Sequence, residues 1–336
     1  MKSDGDVYLS SFLMMFVLPV TAASVFLFGP EFFWLAPFIS FVVQPISEWF
    51  AEKTYSDDFT TRINEVRPKG DRRYDYILYA LSFIVLGLIG TGMFVAGDLV
   101  QALGFGVAVG FVSGAVGFIS AHELIHRRTA FERRLGFLLL LFFNYPTFQI
   151  EHFGHHRDVG KPWDPDTARK GESVYQFYFR SFVNGIRLAW SMESKRAKSL
   201  IQNRVVLYIA LQIFVTAAVG AFFGVFGLLF YVVQSVVSIW LLETTNYVEH
   251  YGLERKKVGE KWAPVTADLS WDTDKLVSNF SLLNLGRHAS HHMHPTKPYE
   301  SLDNIDEAKK VPLGYPTMIA TALFPPVWFK LMNQRV

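Results

Sequence analysis

Residues 74–126 read YDYILYALSFIVLGLIGTGMFVAGDLVQALGFGVAVGFVSGAVGFISAHELIH, without a lysine or arginine anywhere in the run. Gly97-Asp98 divides it into two apolar stretches. At 1.5 Å per residue, each is long enough to cross a hydrocarbon layer about 30 Å thick. The run therefore reads as a membrane hairpin, and it ends on two histidines spaced one helical turn apart. Working outward, all 32 Lys and Arg avoid two further windows, 3–52 and 205–254, broken at Gly29-Pro30 and near Gly224. With 51% hydrophobic residues, 32 Phe and a mean hydropathy of +0.22, the chain is too oily for an ordinary soluble enzyme.

The expected fold is an all-α integral membrane protein: six transmembrane helices in three hairpins, near 7–28, 32–50, 75–96, 100–121, 204–223 and 226–247. One domain, 1–336, is expected, because neither an internal repeat nor a flexible linker is visible. Turns inside the hairpins lack Lys and Arg, whereas the segments between them carry Arg62, Arg67, Lys69, Arg72 and Arg73, among others. The positive-inside rule then puts both termini and the long loops in the cytoplasm of a bacterial-type inner membrane. Residues 8–28 read as a retained anchor and not as a cleaved signal peptide. The stretch 135–150 is short and contains Pro146, so it reads as interfacial or re-entrant. The Pro-rich stretch 311–332 is expected to lie on the membrane or pack under the site. Zero cysteines exclude disulfides, thiolate metal sites and a built-in iron–sulfur cluster. The basic residues are accounted for by membrane orientation, with no call for nucleic acid.

All ten histidines sit in four clusters: His122 and His126; His152, His155 and His156; His250; and His288, His291, His292 and His294. Imidazole is the commonest protein ligand for first-row metals, and so many rings imply more than one ion. Helical i, i+3 and i+4 spacings place several rings of each cluster on one face. The predicted ends of the fourth and sixth helices put His122, His126 and His250 at one membrane level. Two other classes compete. HELIH fits the H-E-x-x-H pattern of zinc proteases, with Glu123 as general base, but that leaves most histidines without a task. A metal or proton transporter would want charged groups near the middle of the spans.

The pattern H-x3-H, H-x2-HH and H-x2-HH resembles the membrane fatty-acid desaturase and hydroxylase superfamily. The element NYVEHYG at 246–252, the stretch from His155 to Phe177 and RHASHHMHPTKPY at 287–299 look like its alkane hydroxylase and xylene monooxygenase branch. The likeness covers roughly 75–330. One departure is the pair Phe153-Gly154 before the HH doublet of the second histidine cluster, where the alkane hydroxylases usually have three residues between the first histidine and that doublet. That shorter spacing is similar to the desaturases.

The resemblance implies a non-haem diiron site, two Fe ions held by His122, His126, His152, His155, His156, His250, His288, His291 and His292. His294 matches a further family histidine that supports the ligands. Glu123, Glu151, Glu249 and Asp158 could orient imidazole N–H groups, while Arg157, Arg169 and Arg287 could pair with these acids or with lipid phosphate. The implied activity is O2-dependent hydroxylation, first of the terminal carbon of medium-chain n-alkanes, next of aryl methyl groups, then fatty-acyl desaturation. The implied partners are a rubredoxin- or ferredoxin-type electron donor with an NAD(P)H-dependent reductase. The basic loops 51–73 and 161–204 are candidate docking faces for it.

Overall fold

The computed structural model describes residues 3–336 except Lys69, so the expectation that counts Lys69 among the basic loop residues falls outside the described positions. Among the described residues, four helices are long and apolar enough to cross a membrane: Asp4–Phe28, Arg73–Val95, Leu99–His126 and Arg204–His250. The last is two helices. Gly224 adopts φ 69°, ψ −171°, a conformation open essentially to glycine alone. Gln212 Nε2 donates to the Tyr231 hydroxyl at 3.1 Å. In an unbroken helix those residues would stand about 28 Å apart. The chain therefore folds back at Gly224, where the apolar window is broken in the sequence.

The expected second segment forms as helix over 35–54, distorted by a π-helical turn at Ile39–Val43. A second π turn interrupts the Leu99–His126 helix at Ser113–Gly117.

Close approach of the Leu99–His126 helix to the 225–250 segment depends on a small-residue stripe. A Cβ on Gly106 would stand 2.8 Å from Val233, one on Gly110 2.8 Å from the Gln234 carbonyl oxygen, and one on Gly114 2.8 Å from Leu241. Between apolar helices in lipid, such spacing at every fourth residue lets backbones touch and replaces a hydrophobic driving force with van der Waals packing.

The 135–150 stretch is neither a span nor a surface strip. Ala130–Phe142 is a helix of 13 residues, about 20 Å long and too short to cross. It starts from a capping box at Thr129 and Glu132 and packs Gly136 against Ala121 and Leu124. Its last carbonyls end among the long helices, where no water can reach them cheaply. Tyr231 donates to the Leu141 carbonyl at 3.1 Å and Gln234 to that of Phe142 at 2.8 Å. Asn144 takes φ 59° and turns the chain back toward the helix Phe148–Asp158. Residues 311–332 fold as two eight-residue helices, Tyr315–Ala322 and Pro325–Met332, and Trp328 is buried against Tyr247 and Tyr251.

The fold is mostly helical, with two small departures from an all-α chain. Lys257–Val258 pairs antiparallel with Lys261–Trp262, and Trp271–Asp272 pairs parallel with Lys309–Lys310. The second of these positions the last histidine helix. Substituting Gly110 with Leu should separate the two packed helices and lower the melting temperature in detergent, at a cost of about 1–3 kcal/mol or more. Gly110→Ala should cost less, and equal melting of all three proteins would refute the close-packed stripe.

Candidate metal centre

Each histidine cluster rides on a separate helix: Leu99–His126, Phe148–Asp158, the end of Arg204–His250, and His288–Met293. The last is only six residues long, so its placement comes from its neighbours. Asp272 accepts from the Ala289 backbone N–H at 2.8 Å, and Ser290 Oγ accepts from that of Asp303 at 3.0 Å. Asn284, at φ 55°, donates to the Tyr8 hydroxyl and the Tyr299 carbonyl, which joins the N-terminal helix to this support. Arg287 is buried and donates to the Leu302 carbonyl at 2.8 Å and to Asn64 Oδ1 at 3.0 Å. That corrects the expectation of an acid or lipid-phosphate partner for Arg287: the guanidinium braces loops inside the protein.

Nine imidazoles converge in two adjoining groups, His122, His126, His152, His156 and His291 in one, and His155, His250, His288 and His292 in the other. Within each group the candidate ligand atoms lie within 4.8 Å of one another. The i, i+4 pairs stay together in each case. The intervening i+3 member crosses to the other group, so each HH doublet is split. Consecutive helical residues point about 100° apart, and a doublet therefore serves two neighbouring centres at once. The single shared face expected for each triplet divides in this way.

The Nε2 atoms come very close. His122–His291 are 2.7 Å apart, His126–His152 and His152–His156 2.9 Å, His156–His291 3.1 Å, His288–His292 3.0 Å and His250–His288 3.2 Å. A neutral imidazole nitrogen is either donor or acceptor, so the shared contacts of His152 and His288 cannot all be hydrogen bonds. With metal–nitrogen bonds of about 2.1 Å, adjacent ligands of one octahedral ion lie about 3 Å apart. The observed spacing fits common coordination in each group.

The outer nitrogens show how the rings are held. His250 Nδ1 donates to the Leu269 carbonyl at 2.9 Å, and His155 Nδ1 to Asp164 at 3.0 Å. Both partners only accept, so each ring keeps its proton on Nδ1 and presents the Nε2 lone pair inward. Burial works to lower the His155 imidazole, but Asp164 and Asp166 outweigh it and raise it to about 8. A more basic nitrogen is a stronger donor to a metal.

Asp164 was not singled out in the sequence, although a carboxylate in a Pro-bounded loop just after a histidine doublet is the kind of residue such rings need. The Leu269 carbonyl carries no side-chain signal at all. Glu249 Oε1 lies 3.3 Å from His288 Nδ1, near the ring but without a hydrogen bond to it.

The other expected supports lie elsewhere. Glu123, one residue past His122, lines a small cavity beside His122, His288 and His291, but its carboxylate is engaged elsewhere. It pairs with Arg127 at 2.8 Å and accepts from the Tyr299 N–H at 3.2 Å. Asp75 and Glu300 complete that cluster around Arg127 at 3.3 and 3.4 Å. The zinc-protease role for Glu123 fails on the same geometry. Asp158 binds Lys161 at 2.8 Å and Arg157 at 3.1 Å, not an imidazole. Glu151 is buried toward Gly185, and burial beside Asp166 raises its carboxyl well above the usual range. His294 and Arg169 are exposed, and His294 joins neither group.

A family profile described as fatty acid desaturase matches residues 98–322, which include all four clusters. The chain is 36% identical over 278 residues to alkane 1-monooxygenase 1 of Pseudomonas aeruginosa, covering 78% of this chain and 72% of that protein. It is 38% identical over 245 residues to alkane 1-monooxygenase 1 of Alcanivorax borkumensis, covering 70% of this chain and 60% of the relative. The xylene/toluene monooxygenase hydroxylase component XylM of Pseudomonas putida is 25% identical over 262 residues, covering 76% of this chain and 69% of XylM. The chain thus spans 60–72% of the length of these relatives.

Asp164→Asn should weaken metal retention about 10- to 100-fold, as loss of a ligand's hydrogen-bond partner does. Competition with a chelator measures this. Glu123→Gln should leave retention unchanged and lower thermal stability by about 3 kcal/mol or less, because it removes one partner of a buried cation that keeps two others.

Proposed function

Because the chain belongs to the fatty acid desaturase family, in its alkane 1-monooxygenase branch, we propose that it is a membrane-bound non-haem diiron monooxygenase that hydroxylates the terminal carbon of medium-chain n-alkanes. The observation that carries this reading is the two-group convergence of nine imidazoles. His122, His126, His152, His156 and His291 would hold one iron, and His155, His250, His288 and His292 the other. Two iron ions bound there would supply the activation of dioxygen that hydroxylation needs. The protein does the rest: Asp164 and Leu269 fix ring orientation, and the surrounding side chains keep water out and substrate in.

Mostly apolar side chains beside the metal centre suit an oily substrate. One cavity of about 30 Å³ is lined by Leu18, Phe41, Phe111, Ile119 and Leu241, with Leu285 at the end toward the metals. Ile119 and Leu285 also line a second cavity, which touches His122, His288 and His291. Both π turns contribute, through Phe41 and through Gly114 and Ala115. Such distortions widen a helix locally and often occur at functional sites.

In this reading the apolar segments make six crossings, and the positive-inside rule puts the histidine end in the cytoplasm of an inner membrane. Electrons come from a rubredoxin- or ferredoxin-type donor reduced at the expense of NAD(P)H.

Purified protein should carry about two irons per chain, given five and four nitrogen donors. Membranes containing it, supplied with reductant, should convert octane to 1-octanol. His250→Ala should release iron and end product formation, while insertion into the membrane persists. One zinc and no iron would overturn the diiron reading, and an alkene formed from an acyl substrate would move the protein to desaturation.

A further inference from the structure

Hydroxylation with O2 consumes two electrons and two protons per turnover. The chain has no cysteine to hold a redox cluster of its own. Electrons must therefore enter through a surface that a second protein can reach, close to one of the buried rings. We propose that the hairpin over 255–262 and the loop over 160–170 form the docking surface for a small acidic one-electron carrier, with Trp163 as the point of electron entry. The proposal rests on the monooxygenase reading above. It narrows the candidate face 161–204 to its first residues, joins them to the hairpin and drops the 51–73 loop.

Three observations meet here. The first is charge. Lys256, Lys257 and Lys261 on the hairpin and Arg169 and Lys170 on the loop are exposed, whereas the exposed carboxylates of the hairpin segment are Glu254 and Glu260. The acids of the loop are inside: Asp164 and Asp166 are buried beside His155. The surface is thus basic because these two carboxylates are turned toward that histidine.

The second observation is a pair of aromatic rings at the centre of this charge. Trp163 is 54% exposed and meets Trp262 edge-on at 5.5 Å. Lys161 lies 5.5 Å from the Trp163 ring and Lys257 4.9 Å from that of Trp262, within reach of cation–π attraction. The two segments are held together by the Arg255 N–H donating to the Gly160 carbonyl at 2.7 Å and by Arg255 Nη1 donating to the Arg157 carbonyl at 3.0 Å. A cleft of about 240 Å³ runs between them.

The third is the short path inward. Trp163 is bonded through its peptide to Asp164, whose carboxylate accepts from His155 Nδ1 at 3.0 Å. One residue and one hydrogen bond therefore join an exposed indole to a ring of the second histidine group. Among basic residues placed only to meet lipid headgroups, there would be no reason for this connection. The hairpin also follows His250, which ends the last long apolar helix, and so lies beyond it. At each docking one electron leaves the carrier and passes to the centre, so two dockings serve one turnover. Basic surfaces of this kind speed encounter with acidic partners, and the rate falls steeply with salt.

The test uses full-length protein in nanodiscs of neutral lipid, with an acidic rubredoxin as the probe. The variant K256E/K257E/K261E should raise the probe's Kd at least tenfold, in the iron-loaded and iron-free protein alike, and should flatten the salt dependence of stopped-flow electron transfer. Trp163→Leu should reduce the transfer rate at saturating probe more than it changes Kd. Reversal at Lys53 and Arg72, on the other basic loop, should change neither.

Reduction of the iron by dithionite reports whether the centre survives each substitution. Wild-type binding and transfer by the hairpin variant would overturn the proposal even with hydroxylation intact. A defect of that variant seen only in anionic nanodiscs would overturn it in favour of a lipid anchor. A wild-type protein without iron or hydroxylation would instead sink the monooxygenase reading, while the binding measurement still judges the surface.

Discussion

Six nitrogen–nitrogen separations of 2.7–3.2 Å, in a pocket away from water, are the constraint on which this molecule turns. Imidazole lone pairs brought that near one another repel unless a cation lies between them. No single helix can supply enough of them. Four helices have to end at one place, and each must do so in a rotation that aims Nε2 inward. The rest of the structure serves that condition. The glycine stripe on Leu99–His126 lets it lie directly against the segment that ends in His250, and the fold-back at Gly224 returns that segment to the correct end of the bundle.

Polar groups inside the apolar frame are handled strictly. An unsatisfied backbone group in hydrocarbon costs several kcal/mol, and the short helix Ala130–Phe142 would leave several. Tyr231 and Gln234 take up two of its carbonyls. Arg127 is likewise kept among Glu123, Asp75 and Glu300 at the edge of the centre. Removing one partner from a buried ion cluster costs far more than the cluster adds to stability, so these residues secure geometry more than they add net stability. The same applies to Arg287, buried under the last histidine helix with two oxygen acceptors.

Two acids in the loop after the second histidine cluster, Asp164 and Asp166, turn inward, and this one arrangement has two consequences. Asp164 orients His155. With the loop's negative charge sequestered, its outer surface is left to Lys and Arg around two tryptophans. Ligand support and surface charge are thus set by the same loop, because a carboxylate that faces an imidazole cannot also neutralise a lysine outside.

Periodicity, charge exclusion and histidine spacing determined a large part of this protein. The apolar windows, the breaks at Gly97-Asp98 and Gly224 and the nine metal-seeking rings were all legible, because membrane crossing and imidazole ligation depend on residue type and local spacing. Tertiary structure alone decided how those rings divide. An HH doublet looks the same whether it serves one ion or two, and only the crossing of helices sends His155 and His292 one way and His156 and His291 the other. It also decided which acids act on the rings. Glu123 stands beside a histidine in the chain yet gives its carboxylate to Arg127, whereas Asp164, nine residues past His155, is folded onto that ring. Adjacency along a helix fixes a direction about 100° away, and nearness in space comes from how the segments pack.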